Sequence, residues 1–205
     1  MRRTIPSPSI RSIRIPGKFD VEKRESIKTL ILTLWKREDE APRRSEEVAL
    51  SGAVNAYIRR ITENRDVRPD FNGFYEFVRD DYRRMIEEKR VREKDFDIDG
   101  FLNVLEPFYR GGDYDFLLNS DKELDLTNKR FIVFELDNIG SNKVLLPVVT
   151  LIIMETFIAK MRRLKGVRKM ILIEECWKAL MSANMSEYIK YLFKTVRKYF
   201  GEAWW

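Results

Sequence analysis

The stretch Met170-Ile171-Leu172-Ile173-Glu174-Glu175 decides how the rest of the chain is read. Four apolar residues run without interruption and end in two adjacent carboxylates. An uninterrupted run of this length reads as a buried strand of a parallel sheet. Upstream, Phe131-Ile132-Val133-Phe134 is a second such run, after a turn signal near Asn128. Between the two lies a helical pattern from Lys143 to about Leu164, with Pro147 in its first turn, where proline is tolerated. Met185 to Phe200 then repeats helically through Ile189, Leu192, Phe193, Val196 and Phe200. Strand, long helix, strand, helix predicts an α/β unit with neighbouring parallel strands.

The long helix is apolar almost all round, from Leu145 to Met154. A membrane span needs roughly 20 predominantly apolar residues. Thr150, Glu155, Thr156 and Lys160 interrupt this one, so the expectation is a buried core helix. Working towards the N-terminus, the periodicity is helical from Phe19 to about Arg110. Asp20 stands as N-cap and Glu22 as first-turn acid ahead of the stripe Ile27, Leu30, Ile31, Leu34 and Trp35. Further stripes follow at Leu50, Ala53, Val54, Tyr57, Ile58 and Ile61, and at Phe74, Phe77, Val78, Tyr82 and Met85. The last, Ile98, Phe101, Leu102, Leu105, Phe108 and Tyr109, stops at Gly111-Gly112. Four amphipathic helices with short breaks predict a helical subdomain.

Of 205 residues, 39 are Lys or Arg and 33 Asp or Glu, a net charge of +6. Arg2, Arg3, Arg11, Arg14 and Lys18 supply five of these positive charges within residues 1–18, which contain no acid. The rest of the chain holds 34 basic groups (39 less those five) against 33 acidic ones, and is nearly neutral. The leader also carries Pro6, Pro8 and Pro16, a composition that favours extended, poorly ordered chain. Cys176 is the single cysteine, which excludes an internal disulfide framework. No histidine is present, which excludes Ser-His hydrolysis and His-based metal chemistry.

Two acids at the carboxyl end of a parallel strand have the layout of a Walker B segment. There the first acid organises Mg²⁺ through its waters and the second polarises the attacking water. Two charged residues that simply end a strand account for the same pattern, and most Walker B segments have Asp where Glu174 stands. The partner motif is missing. Gripping β- and γ-phosphates takes Gly-x-x-x-x-Gly-Lys-[Ser/Thr]. Among nine glycines only Gly17 precedes a lysine, and Phe19 follows Lys18 where a hydroxyl is required. The loop Asp137-Asn138-Ile139-Gly140-Ser141-Asn142-Lys143 could present helix N-terminal amides, but lacks that spacing.

Several blocks together resemble TraG-family conjugation ATPases, of the type IV secretion ATPase class found in conjugative transposons. They are Arg130 to Asp137 (RFIVFELD), the long helix after it, and Ile171 to Leu180 (ILIEECWKAL). Lys194-Thr195-Val196-Arg197-Lys198-Tyr199-Phe200-Gly201 resembles the family segment whose arginine acts on the nucleotide of a neighbouring subunit. The likeness covers roughly Phe19 to Ala203. It implies a mostly helical α/β chain with an all-helical insertion subdomain over 19–126 and a partial RecA-like P-loop NTPase core over 127–205; the basic leader over 1–18 does not resemble the family.

By this resemblance Glu174 is the metal-organising acid, through water on Mg²⁺, Glu175 the water-activating base and Arg197 a trans-acting arginine. The full-length family uses ATP and Mg²⁺. Family members carry a phosphate-binding loop before the matching region, and a further core strand with a Thr-Gln sensor after it. The expectation is therefore an internal fragment that binds no nucleotide tightly and hydrolyses no ATP alone, with its sheet left incomplete. Expected partners are further copies or other subunits of a conjugative secretion apparatus, with DNA contacted indirectly at most. The expected location is cytoplasmic, including peripheral attachment at the inner membrane through partners. Two other readings stand beside this one: a non-catalytic module docking on an intact conjugation ATPase, and nucleic-acid binding through the leader.

Overall fold

The computed structural model describes residues 21–37, 40–64, 69–119, 129–174 and 183–204. The leader 1–18, the Asp20 cap, the expected boundary at 126–127, Glu175 and the block 176–180 lie outside the described residues. Contacts divide the described chain into two units, one of residues 51–119 and one of residues 21–50 with 129–204.

Helix α2 (Arg44–Glu63) supplies residues 51–63 to the first unit. There follow α3 (Phe71–Phe77), a π-helical turn (Val78–Tyr82), α4 (Arg83–Glu88), α5 (Ile98–Leu105) and the short α6 (Asp115–Leu118). Aspartates open two of these helices. Asp70 accepts the Gly73 amide at 2.8 Å and Asp97 the Gly100 amide at 2.8 Å, each taking up a donor that the first helical turn leaves unpaired. The core is aromatic. Tyr57 meets Phe74 edge-on at 5.5 Å and lies 5.6 Å from Phe77, while its hydroxyl donates to the Asp70 carbonyl at 3.1 Å. Burial of the ring pushes the Tyr57 phenol well above its usual range, so it is a neutral hydrogen-bond donor at any physiological pH.

The expected stripes are buried here except at two positions, the half-buried Tyr109 and Met85. Met85 is 37% exposed, and Ile86 is buried in its place. The π turn explains the slip. Its i→i+5 bonds take one residue more than an α turn, so the inward face moves from the expected 82/85 pair to 82/86.

The second unit contains α1 (Val21–Trp35), the first turns of α2, α7 (Leu145–Arg163), β1 (Lys169–Leu172), α8 (Ala183–Val196) and β2 (Gly201–Trp204). Helix α1, assigned on periodicity to the helical subdomain, packs on α7 and α8. Ile27, Leu30, Ile31 and Leu34 are buried there, and the Lys23 ammonium meets the Glu155 carboxylate at 3.1 Å. Thr150 and Thr156 donate their hydroxyls to the carbonyls of Leu146 and Ile152, which lets polar residues sit in a largely apolar helix. Among the described residues no helix is long and apolar enough to cross a membrane.

The expected strand at Met170–Ile173 forms as β1, but with a different partner and with one face exposed, and the other expected strand does not form. Phe131–Phe134 forms no regular element and joins no ladder; Phe131 is 85% and Val133 69% exposed, so this is not a buried strand. The parallel partner of β1 is β2, in register Lys169↔Gly201 to Leu172↔Trp204. A strand at Gly201–Trp204, not expected from the sequence, thus stands beside β1, and α8 rather than α7 is the helix between the paired strands. Only one face of this pair is covered: Met170, Leu172 and Trp204 project from the other into solvent.

Candidate functional site

The carboxyl edge of the sheet carries Glu174. The ladder extends one step past β1, with the Ile173 amide donating to the Trp204 carbonyl at 3.0 Å, and Glu174 follows in the turn. It is exposed, and among the described residues its carboxylate makes no ion pair. That is the crevice position in which open α/β sheets hold ligands. Glu175, its expected partner, lies outside the described residues. Among the described residues no cluster of three or more His, Cys, Asp or Glu could ligate a metal directly. A single exposed carboxylate fits the task of orienting a cation's water shell rather than its inner ligand sphere.

The opposite chemistry, donors for phosphate, would fall at the start of α7. Val144 and Leu145 amides both donate to the Asn142 side-chain oxygen, at 3.0 and 2.9 Å, and the Leu146 amide donates to the Asn142 carbonyl at 3.1 Å. Pro147 has no amide hydrogen. Every donor of that first turn is therefore used within the chain, and the loop 137–143 is a capped connection rather than an anion cradle. The residues described fit the acid half of a nucleotide site and not its phosphate-binding half.

Arg197 sits elsewhere. It opens the 3₁₀ turn Arg197–Tyr199 that joins α8 to β2. Because β2 starts level with Lys169, the first residue of β1, this turn lies at the amino edge of the sheet. At about 3.3 Å per residue, the path from Lys169 to Glu174 places the two edges roughly 15 Å apart. Arg197 is exposed, and among the described residues nothing pairs with its guanidinium. The two expected residues that can be located are thus held at opposite ends of one small sheet.

The sequence places Phe200 on the stripe of the preceding helix and gives Gly201 and Lys169 no part at this amino edge, but the helix ends at Val196. Phe200 adopts left-handed backbone angles (φ 56°) at the end of the turn, with its ring 71% exposed. Gly201 then enters β2 where a Cβ would lie 2.8 Å from Val196 Cγ1 and 3.1 Å from Met161 Sδ. Only a residue without a side chain lets the strand come this close to both helices. Lys169 aims inward: its Nζ donates to the Tyr199 carbonyl at 2.9 Å and the Met161 carbonyl at 3.3 Å. A basic pair, Arg168-Lys169, heading an apolar run was the available signal for this role, and a weak one.

Comparison with curated proteins and with solved structures gives no match. The family model described as the TraG P-loop domain matches residues 13–205. That match spans both units, the acid-bearing strand and the Arg197 turn, and the mostly helical chain with its small parallel sheet agrees with it. The chain belongs to the TraG P-loop domain family.

Proposed function

We propose that this chain is the part of a conjugation ATPase that carries the acid-bearing strand and the trans-acting arginine of an oligomeric motor. In this reading the motor energises conjugative DNA transfer through a type IV secretion apparatus. Glu174 orders the waters of Mg²⁺, Glu175 takes the proton of the attacking water, and Arg197 reaches the nucleotide of an adjoining subunit. Residues of the second unit belong to a RecA-like core, and residues 51–119 to its helical insertion. ATP bound in the complete site supplies the phosphoanhydride that is cleaved; this chain's share is to orient water and to place a positive charge.

One observation carries the reading. Glu174 and Arg197 lie at opposite edges of the β1–β2 sheet, so one nucleotide cannot meet both from the same subunit. An exposed arginine with no partner among the described residues suits delivery across an interface, where such groups stabilise charge developing on the transferred phosphoryl. The 205 residues contain no Gly-x-x-x-x-Gly-Lys-[Ser/Thr] stretch, so by this proposal they turn over no ATP until that loop is supplied.

The test is complementation. A TraG-family ATPase with an intact phosphate-binding loop, its own trans-acting arginine replaced by Ala, is mixed with this chain. The chain should raise ATP turnover at least tenfold, its Arg197→Ala variant should not, and neither should turn over ATP alone. Equal stimulation by both, or none by either, refutes the assignment of Arg197.

A second reading has an observation of its own. Met170, Leu172 and Trp204 leave an apolar sheet face bare, which suits a non-catalytic module that docks on an intact ATPase. Co-purification with that ATPase, without stimulation, would favour it. Further proposed partners are additional copies of the chain and secretion-apparatus subunits, with location in the cytoplasm or peripherally at the inner membrane.

A further inference from the structure

We infer that Lys169 is the positioning residue of Arg197: its ammonium and amide fix the backbone of the turn on which Arg197 stands. The inference rests on the trans-arginine reading for its functional consequence and on hydrogen bonds alone for its structural part.

An arginine that works across an interface must be held before the partner arrives, because a loose turn spreads the guanidinium over many positions and costs ordering entropy on contact. Helix α8 ends one residue before Arg197, and a short 3₁₀ turn is an unpromising mount. Such a turn leaves its last carbonyls without helical partners. Lys169 takes up two successive ones. Its Nζ donates to the Tyr199 carbonyl at 2.9 Å, and its backbone amide to the Phe200 carbonyl at 3.2 Å.

The same ammonium reaches the Met161 carbonyl in the last turn of α7 at 3.3 Å. One cation therefore ties the Arg197 turn to β1 and to the most buried helix of the unit. Placing a positive charge on two helix-terminal carbonyls is also electrostatically favourable. Gly201 completes the seat from the other side by letting the strand lie against Val196 and Met161. A lysine in the first position of an edge strand has every chance to extend into water. Here it is half-buried and spends its donors on the turn.

The experiment compares Lys169→Met, which removes the donors at similar length, Lys169→Gln, which keeps uncharged N–H donors on a shorter chain, and Lys169→Arg, which keeps the charge. The first readout is amide hydrogen exchange on the whole chain. Exchange across 197–200 should rise at least tenfold in Lys169→Met, less in Lys169→Gln, and return towards wild type in Lys169→Arg. The second is the complementation assay above. Lys169→Met should lower the restored kcat at least fivefold while KM for ATP stays within twofold, and Lys169→Arg should regain at least half of the loss.

A merely structural lysine would lower thermal stability without this kcat-specific loss and its rescue. Unchanged exchange across 197–200 in Lys169→Met and Lys169→Gln overturns the inference outright. If Lys169→Met does not fold, Lys169→Gln carries both readouts. If Arg197→Ala restores turnover as well as wild type, the trans-arginine reading fails by itself, and the exchange data still decide whether Lys169 holds the turn.

Discussion

Residues 51–119 and the unit built around β1 and β2 solve the problem of burial differently. In the first, Tyr57, Phe74, Phe77, Phe101 and Phe108 are all buried, and its most exposed large apolar side chain, Phe116, is half covered. In the second, Phe131, Val133, Met170, Leu172, Phe200 and Trp204 are each more than half exposed. An amphipathic helix has one apolar stripe, which a neighbour a few residues away can cover. A parallel strand has two faces, and the chain that covers the second comes from a distant part of the sequence. Local contacts therefore finish the helical unit and leave the sheet half dressed.

The largest expected effect strikes the finished core. Tyr57→Ala removes the ring between Phe74 and Phe77 and the hydroxyl bond to Asp70, and should cost about 4 kcal/mol in urea unfolding. A cost below about 1 kcal/mol would mean that the helical unit is packed far more loosely than its burial implies.

Next comes the ionic knot at the α1–α2 connection. Glu46, almost fully buried, accepts from the Arg43 amide at 2.8 Å and its guanidinium at 3.0 Å, and pairs with the Lys36 ammonium at 3.1 Å. Burial alone would raise its pKa, but the Arg43 and Lys36 donors outweigh that and hold it below the usual carboxylate value. For Lys36 burial works downward, and Glu40 and Glu46 lift it above its usual value. Glu46→Ala should cost about 3 kcal/mol, because it removes one of the two carboxylates on the Lys36 ammonium and leaves the Arg43 amide without its acceptor. The sign with pH follows. The Glu46 contribution is whole above its unfolded pKa, about 4.3, and fades as pH falls through the lower folded value. The Lys36 contribution is whole below its unfolded value, about 10.4, and fades as pH rises through the higher folded one. Urea midpoints between pH 2 and 6 should therefore fall less steeply with acid in Glu46→Ala than in wild type.

Gly201→Ala places a methyl against Val196 and Met161 and should cost about 2 kcal/mol, with thermal unfolding as the measure. A neutral result would show that β2 can lift away from the helices without penalty. The smallest effect is expected on the bare face. Leu172→Thr should change stability by less than about 0.5 kcal/mol while improving solubility, since its side chain is 62% exposed. A loss of several times that size would show that the face is covered in solution.

Much of this architecture is legible in the sequence, for reasons that differ by element. Stripes such as Leu50, Ala53, Val54, Tyr57, Ile58 and Ile61 repeat with the helical period over several turns, and all are buried. The run Phe131–Phe134 carries the same apolar signal as a strand, yet a run of four has no period to test, and pairing depends on distant chain. Gly201-Glu202-Ala203-Trp204 has no β-branched residue at all. Its strand arises from register with β1, which no local pattern encodes. Glu174 was legible because it ends an apolar run. That Arg197 stands at the other edge follows only once β2 is known to pair in parallel, so the separation of these two residues was hidden.

The π turn at Val78–Tyr82 has a meaning for how such a chain can change over time. A loop absorbs an added residue by bulging outward; a helix ordinarily cannot, because every later side chain rotates by about 100°. Here the surplus residue is taken up inside the helix itself, and the rotation stops at Arg83. Removal of one residue from 78–82 would let α3 and α4 fuse into a plain α-helix that keeps its course. The turn thus acts as a slip joint, a place where this helix can gain or lose length by single residues while the aromatic core around Tyr57 stays as it is.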